Sequence, residues 1–148
     1  MSCDLIDSGM PPLEKVRELE QHLQTLPQVD VQTTHLIHGG MYARTIFVPA
    51  GCVLTGTKTN VENVCIVSGD ITVTTDAGLK RMIGYSIIPA NAGFKRAGFA
   101  HSDTYWTTLI PTSLTDITAI EDFMTDESDM LLTRSVGIGF VRTQEIEA

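Results

Sequence analysis

Side chains that make disulfides or hold metals are scarce in this sequence. It has three cysteines, Cys3, Cys52 and Cys65, and four histidines in 148 residues. An odd cysteine count with no C-x-x-C spacing argues against both a disulfide framework and a zinc knuckle, so a reducing compartment suits the chain. Cys52 and Cys65 stand among apolar residues and are expected to be small buried hydrophobes. No apolar run approaches the roughly 18 residues that a membrane-spanning helix needs. The start, Met1-Ser2-Cys3-Asp4, lacks the basic-then-apolar pattern of a secretion signal, and the expectation is a cytoplasmic, non-secreted protein. Basic residues are also few: 10 Lys and Arg against 18 Asp and Glu give a net charge of −8. An acidic surface repels phosphate backbones, which disfavours nucleic-acid binding.

The charge is unevenly placed. Between His35 and Pro111 six basic residues (Arg44, Lys58, Lys80, Arg81, Lys95, Arg96) face four acids (Glu62, Asp70, Asp76, Asp103), a balance of +2, so the flanks carry −10. From Pro12 to Leu26 apolar residues recur at spacings of three and four (Leu13, Val16, Leu19, Leu23, Leu26), which predicts an amphipathic helix stopped by Pro27. After Asp30 the chain changes to short runs rich in Val, Ile, Thr, Tyr and Phe, divided by turn residues. Strands are predicted over 33–37, 42–48, 63–67, 70–75, 80–83, 86–88, 94–99 and 104–110. Turns are expected at Gly39-Gly40, Pro49-Ala50-Gly51, Ser68-Gly69-Asp70, Asp76-Ala77-Gly78 and Pro89-Ala90-Asn91. No helical stretch separates these strands, which excludes a parallel α/β sheet and leaves a sandwich or barrel. Ile117, Ile120, Phe123 and Met124 predict a short helix capped by Thr115 and ending near Thr125, with a further turn capped by Ser128. The tail from Arg134 is expected to be an extra strand or an arm lying on a partner. The organisation expected is a helical arm over 1–30, a β-barrel over 31–112 and a C-terminal helix and tail over 113–148, all one structural domain.

Two stretches carry a family likeness. Ile46-Phe47-Val48-Pro49-Ala50-Gly51, followed by Val64-Cys65-Ile66-Val67-Ser68-Gly69-Asp70-Ile71-Thr72-Val73, resembles the first motif of cupins, and Ile87-Ile88-Pro89-Ala90-Asn91-Ala92-Gly93 resembles the start of the second. The resemblance implies a mainly β fold, a single double-stranded β-helix or jelly-roll barrel. Met41-Tyr42-Ala43-Arg44, the run Lys95 to His101 and Asp103-Thr104-Tyr105-Trp106-Thr107-Thr108 are similar to small cupin-like (RmlC-like) proteins of tailed phages and prophages, which are largely uncharacterised. In that group the loop after Gly56 carries a His and then a Glu-His pair. Here those places hold Thr59, Glu62 and Asn63, so only the carboxylate is kept.

A metal-bearing cupin converges three imidazoles and a carboxylate on one ion. Thr57, Thr59 and Asn63 offer only neutral oxygens, and His35 and His38, three apart on a strand, point to opposite faces. The expectation is therefore no cofactor and no metal; were a site to exist, its ligands would be Glu62, His101 and one of His35 or His38. Two further constellations stand out. Glu62, His101 and Tyr105, with Asp103 near, could form a general acid–base set for an isomerase- or epimerase-like reaction on a small sugar-like or carboxylate substrate. Arg44, Lys58, Lys95 and Arg96 could clamp a small anion. The leading reading is a non-enzymatic phage or prophage protein acting by assembly or binding, virion-associated or host-directed, in the host cytoplasm. Its expected partners are copies of itself, with a dimer favoured, other phage structural proteins or a host protein, and neither nucleic acid nor membrane. The acid–base enzyme and the anion sponge are the alternatives.

Overall fold

A computed structural model of the chain describes residues 12–131 and 141–142. The first element is helix α1 (Pro12–Leu23), followed by strands β1 (Thr33–His38), β2 (Met41–Val48), β3 (Cys52–Thr55), β4 (Asn63–Thr75), β5 (Gly78–Ala90), β6 (Ala97–Ala100) and β7 (Thr104–Pro111). Helix α2 (Ile117–Met124), a 3₁₀ turn at Ser128–Met130 and strand β8 (Val141–Arg142) complete the order. The strands form one antiparallel sheet in the order β1-β2-β7-β4-β6-β3-β8, with β5 paired to β4. The fold is thus mainly β, a curled antiparallel half-barrel with two helices, consistent with a jelly-roll cupin.

Strand β4 curls the sheet. Its first half pairs with β7, from Val64↔Leu109 to Ser68↔Tyr105, and its second half pairs with β6, from Ile71↔Ala100 to Val73↔Gly98. Gly69 stands at the switch with φ +150°. A Cβ there would collide with the Thr104 side chain and lie 2.7 Å from the Asp103 carbonyl oxygen. A turn was expected at Ser68-Gly69-Asp70 and a gap before Ser86. Instead β4 and β5 each run unbroken for 13 residues, in register from Asn63↔Ala90 to Thr75↔Gly78, with Gly69 opposite Gly84. Glycine bends the ladder here without ending it, because both flanking halves have partners to pair with. Strand β3 was not foreseen, since its Cys-Val-Leu-Thr is too short to show a period. β6 begins at Ala97, three residues later than expected, after the aromatic and basic run Phe94-Lys95-Arg96.

Helix α1 lays Val16, Leu19 and Leu23 against Val53, Ala97 and Val141, while Leu13 stays exposed. Each of those three buried side chains contributes about 1.5–3 kcal/mol relative to exposure. The helix therefore covers the outer face of β3 and β6. Helix α2 packs Ile120 and Met124 onto Tyr42 and Ile110. Its cap is Asp116, whose Oδ2 accepts from the Ala119 amide at 2.9 Å, and not Thr115 as expected. The carboxylate is the stronger acceptor and stands one residue closer to the first turn. The predicted strand or arm from Arg134 falls mostly outside the described residues; Val141 and Arg142 pair with Val53 and Cys52. Among the described residues no helix is long and apolar enough to cross a membrane.

Candidate functional site

Strand register assembles a polar row on the concave face of the sheet. Arg44 on β2 pairs with Thr108 on β7, and Thr108 pairs with Cys65 on β4. Side chains directly opposite on neighbouring strands share a face, so these three line up across the curl. The next row on that face, Ile46, Trp106 and Val67, is apolar. Arg44, Thr108 and Cys65 of the first row and Ile46 and Trp106 of the second wall a cavity of ≈ 140 Å³, bounded elsewhere by Leu54, Ile71, Val73, Met124 and Leu131 and edged by Thr57, Thr59 and Asn63.

Arg96 enters the same cavity from the segment before β6. Its guanidinium carbon lies 4.8 Å from the Phe94 ring centroid and 5.9 Å from that of Trp106, and its Nη1 donates to the Thr74 carbonyl oxygen at 2.8 Å. Burial pushes the Arg96 pKa down, partly offset by Cys65 and Asp76, yet a guanidinium stays charged at any physiological pH. Among the described residues no carboxylate stands at ion-pair distance from it. A half-buried cation held by aromatic rings and one carbonyl keeps unused attraction for an anion.

Arg44, the other cavity cation, is already matched. Its Nη1 donates to Glu121 Oε2 on α2 at 2.9 Å and to the Tyr42 hydroxyl at 3.2 Å, all three residues being buried. The Tyr42 hydroxyl also meets His35 Nδ1 at 2.6 Å. Burial, and then the Arg44 charge, hold His35 below its ordinary pKa, while burial raises Tyr42. His35 is thus the outer end of a hydrogen-bonded chain that runs to the cavity wall. Cys65 is buried with its thiol pushed up by desolvation, and its Sγ donates to Asn63 Oδ1 at 3.4 Å.

The expected acid–base set does not converge. Glu62 is exposed just before β4, whereas Tyr105 is opposite Ser68, so about 20 Å of strand separates them. Tyr105 is 55% exposed on the convex face, its ring tilted against Phe47, while its neighbour Trp106 points into the cavity. His101 Nε2 is 2.7 Å from Thr72 Oγ1, and its ring edge meets Phe99. Asp103, expected to hold the His101 tautomer, instead accepts from the Ala50 amide at 2.9 Å.

Of the four basic residues expected to clamp an anion, Arg44 and Arg96 line the cavity. Lys95 is fully buried in a separate cluster, its Nζ 3.1 Å from both Glu20 Oε2 and Glu127 Oε1, with Thr55 Oγ1 donating to Glu20. This ion-pair cluster ties α1 and the segment after α2 to the sheet. Lys58 contributes its backbone there, its amide donating to Glu127 Oε1 at 2.7 Å and its carbonyl accepting from Thr125 Oγ1.

The motif resemblance to cupins raises the question of a metal. The cavity's donor set is two guanidinium groups, a thiol, an amide and threonine hydroxyls, which does not fit a divalent cation. Among the described residues no group of three or more His, Cys, Asp or Glu side chains converges to hold one. His35 faces Tyr42, and His38 is exposed on the opposite side of β1.

No protein-family model matches the chain, and no curated protein does. Among solved structures, it is similar to the cupin-2 domain of an XRE-family transcriptional regulator from Enterobacter cloacae (14% identity, 58% of this chain, 100% of that one, TM-score 0.48). It is also similar to a cupin superfamily protein from Desulfitobacterium hafniense (11% identity, 59% and 82%, TM-score 0.48) and to KdgF from Halomonas sp. (14% identity, 60% and 88%, TM-score 0.48). At these identities and scores no activity is assigned by likeness, and the fold is read from the strand order and register above.

Three residues of the site escaped sequence reasoning. Cys65 and Trp106 were read only as strand residues, although strand alternation from Arg44 through the β2–β7–β4 pairings puts both on the cavity face. Glu121 lies 77 positions from Arg44 and had no local signal.

Proposed function

We propose that this chain is a non-enzymatic binding protein that takes up a small anion inside its curled sheet. The observation that carries the reading is Arg96, a half-buried cation at the cavity wall held by two aromatic rings and a carbonyl, with no acid at ion-pair distance among the described residues. An anionic ligand would supply the missing countercharge through charge-assisted hydrogen bonds, with the Thr108 hydroxyl on the same wall as a neutral donor. A ligand bound only by the native state raises the melting temperature in proportion to log concentration. A thermal-shift panel of inorganic anions and small carboxylates tests this: stabilisation by at least one of them, lost in Arg96→Gln, supports the reading, and a flat response across the panel removes it.

A second reading, assembly, has its own observation. Among the described strands β5 pairs with β4 alone, which leaves one edge free, and Ile83, Tyr85 and Ile87 stand 69%, 67% and 60% exposed along its convex face. A long edge with an apolar ridge is a template for antiparallel pairing, and a second copy offers the identical edge. The likeness to phage and prophage proteins fits such an assembling role, virion-associated or host-directed. Sedimentation of the wild type against Tyr85→Lys decides it: a dimer that dissociates in the variant supports assembly, and a wild-type monomer at tens of micromolar rejects it.

A further inference from the structure

Resting on the anion-binding reading, we infer that the cavity selects one chemical class of anion: a monocarboxylate carrying one compact apolar body, about the size of a single six-membered ring.

Charge comes first. Of the two cavity cations, Arg44 is neutralised by Glu121 at 2.9 Å, and Arg96 alone has no acid at ion-pair distance among the described residues. Asp76 acts on Arg96 only from beyond ion-pair distance, so no close acid cancels the charge at this wall of the cavity. A second negative charge on the ligand would be desolvated with no countercharge, which is strongly unfavourable.

The shape of the cation comes second. Nη1 of Arg96 is committed to the Thr74 carbonyl, and Phe94 and Trp106 occupy its π surface. What remains is one in-plane edge of the N–H fork, which matches a single planar carboxylate. The neutral polar side chains on the cavity wall include Thr108 on β7 and Cys65 and Asn63 on β4, the last two joined by the Cys65–Asn63 hydrogen bond.

The body of the ligand is set by the remaining walls. Ile46, Leu54, Ile71, Val73, Met124 and Leu131 present hydrocarbon, and the volume is ≈ 140 Å³. An apolar cavity of about 150 Å³ is known to accommodate benzene. A ring or branched chain of that size fills the space, and a nucleotide or a disaccharide exceeds it.

The test uses the full chain and four probes: benzoate, its neutral isostere benzamide, the dianion phthalate, and inorganic phosphate. Titration calorimetry and thermal shift are expected to show benzoate binding, with benzamide, phthalate and phosphate at least about tenfold weaker, since a charge-assisted hydrogen bond corresponds to roughly a tenfold to hundredfold change. Arg96→Gln is expected to lose benzoate binding by the same factor. Because that variant also loses a buried hydrogen bond, a wild-type readout accompanies it: benzoate should slow methylthiolation of Cys65 by methyl methanethiosulfonate, located by peptide mass mapping, and leave Cys52 unaffected. Phthalate or phosphate binding as tightly as benzoate, dependent on Arg96, would overturn the monocarboxylate class and leave the anion site standing. Benzamide binding as tightly as benzoate, or no probe binding and no protection of Cys65, would overturn the class; if the wider anion panel is also flat, the anion-binding reading falls with it.

Discussion

Arg44 on β2 and Glu121 on α2 meet at 2.9 Å, both buried, and this contact joins the cavity wall to the helix that closes one end of the curled sheet. Removing one partner strands the other charge in a dry environment. Glu121→Gln keeps the shape and removes the countercharge. It is expected to destabilise the fold by about 3 kcal/mol or more in urea denaturation. The double variant Arg44→Met/Glu121→Leu should recover a large part of that loss, because a hydrophobic replacement leaves no unpaired charge. A single-variant loss below about 0.5 kcal/mol would show that the pair is effectively solvated.

The Lys95 cluster predicts a second stability effect. With Lys95 replaced by Met, Glu20 and Glu127 lose the cation at 3.1 Å and α1 loses its polar anchor. A cost of about 3–5 kcal/mol is expected, with proteolysis in the segment after α1 appearing first. Burial alone would raise the Glu127 carboxyl, but the Lys58 amide and the Lys95 charge hold it below its ordinary 4.5. A depressed acid contributes stability that is present above its unfolded value and is lost as pH falls below it. The acid limb of a stability–pH curve should therefore be shallower in Glu127→Gln than in the wild type.

His35 makes stability depend on pH nearer neutrality. Its folded pKa lies below its ordinary 6.5 because of burial and then Arg44, so unfolding takes up a proton between the two values. Stability is complete above about 6.5 and declines as pH falls through that window toward the folded value. His35→Gln should remove this slope while keeping a hydrogen-bonding group near the Tyr42 hydroxyl. Denaturation midpoints at pH 5.5 and 7.5 check it; an unchanged difference between wild type and variant would count against the assignment.

Gly69 is expected to tolerate no side chain. A Cβ there meets the Thr104 side chain and the Asp103 carbonyl at 2.7 Å, at a φ that L-residues rarely adopt. Gly69→Ala should cost about 1–3 kcal/mol or more, with reduced amide protection where β4 passes from β7 to β6. Gly84→Ala offers the control: its φ of +84° is strained, but nothing stands within 4 Å of its Cβ.

Burial pushes the Cys52 thiol up to about 11 and raises Cys65 as well. Cys52 should resist a thiol-specific chromogenic reagent in the folded protein at pH 8 and react on denaturation, whereas Cys65, which lines the cavity, should react slowly with a small methylthiolating reagent in the native state. Rapid reaction of Cys52 without denaturant would mean that the packing of Val31, Val48 and Ala100 around it opens readily.

Periodicity alone revealed the two helices and most of the strands, because a buried stripe at 3.6 or 2 residues is written locally. Val16, Leu19 and Leu23 show the first kind, and Tyr42 and Arg44, alternating along β2, the second. Local signals misled at Gly69, where a glycine that usually marks a turn became a bend inside one long strand. Only strand pairing could decide that, since it depends on β6 and β7 being available to both halves of β4. The site was legible in part: Arg44 and Arg96 were candidates from the start, but so were Lys58 and Lys95. Which of these cations already has a carboxylate was settled by Glu20, Glu121 and Glu127, residues that reach the sheet from helices and turns distant in the chain. Charge pairing is a three-dimensional relation, and a linear sequence of residues carries no record of it.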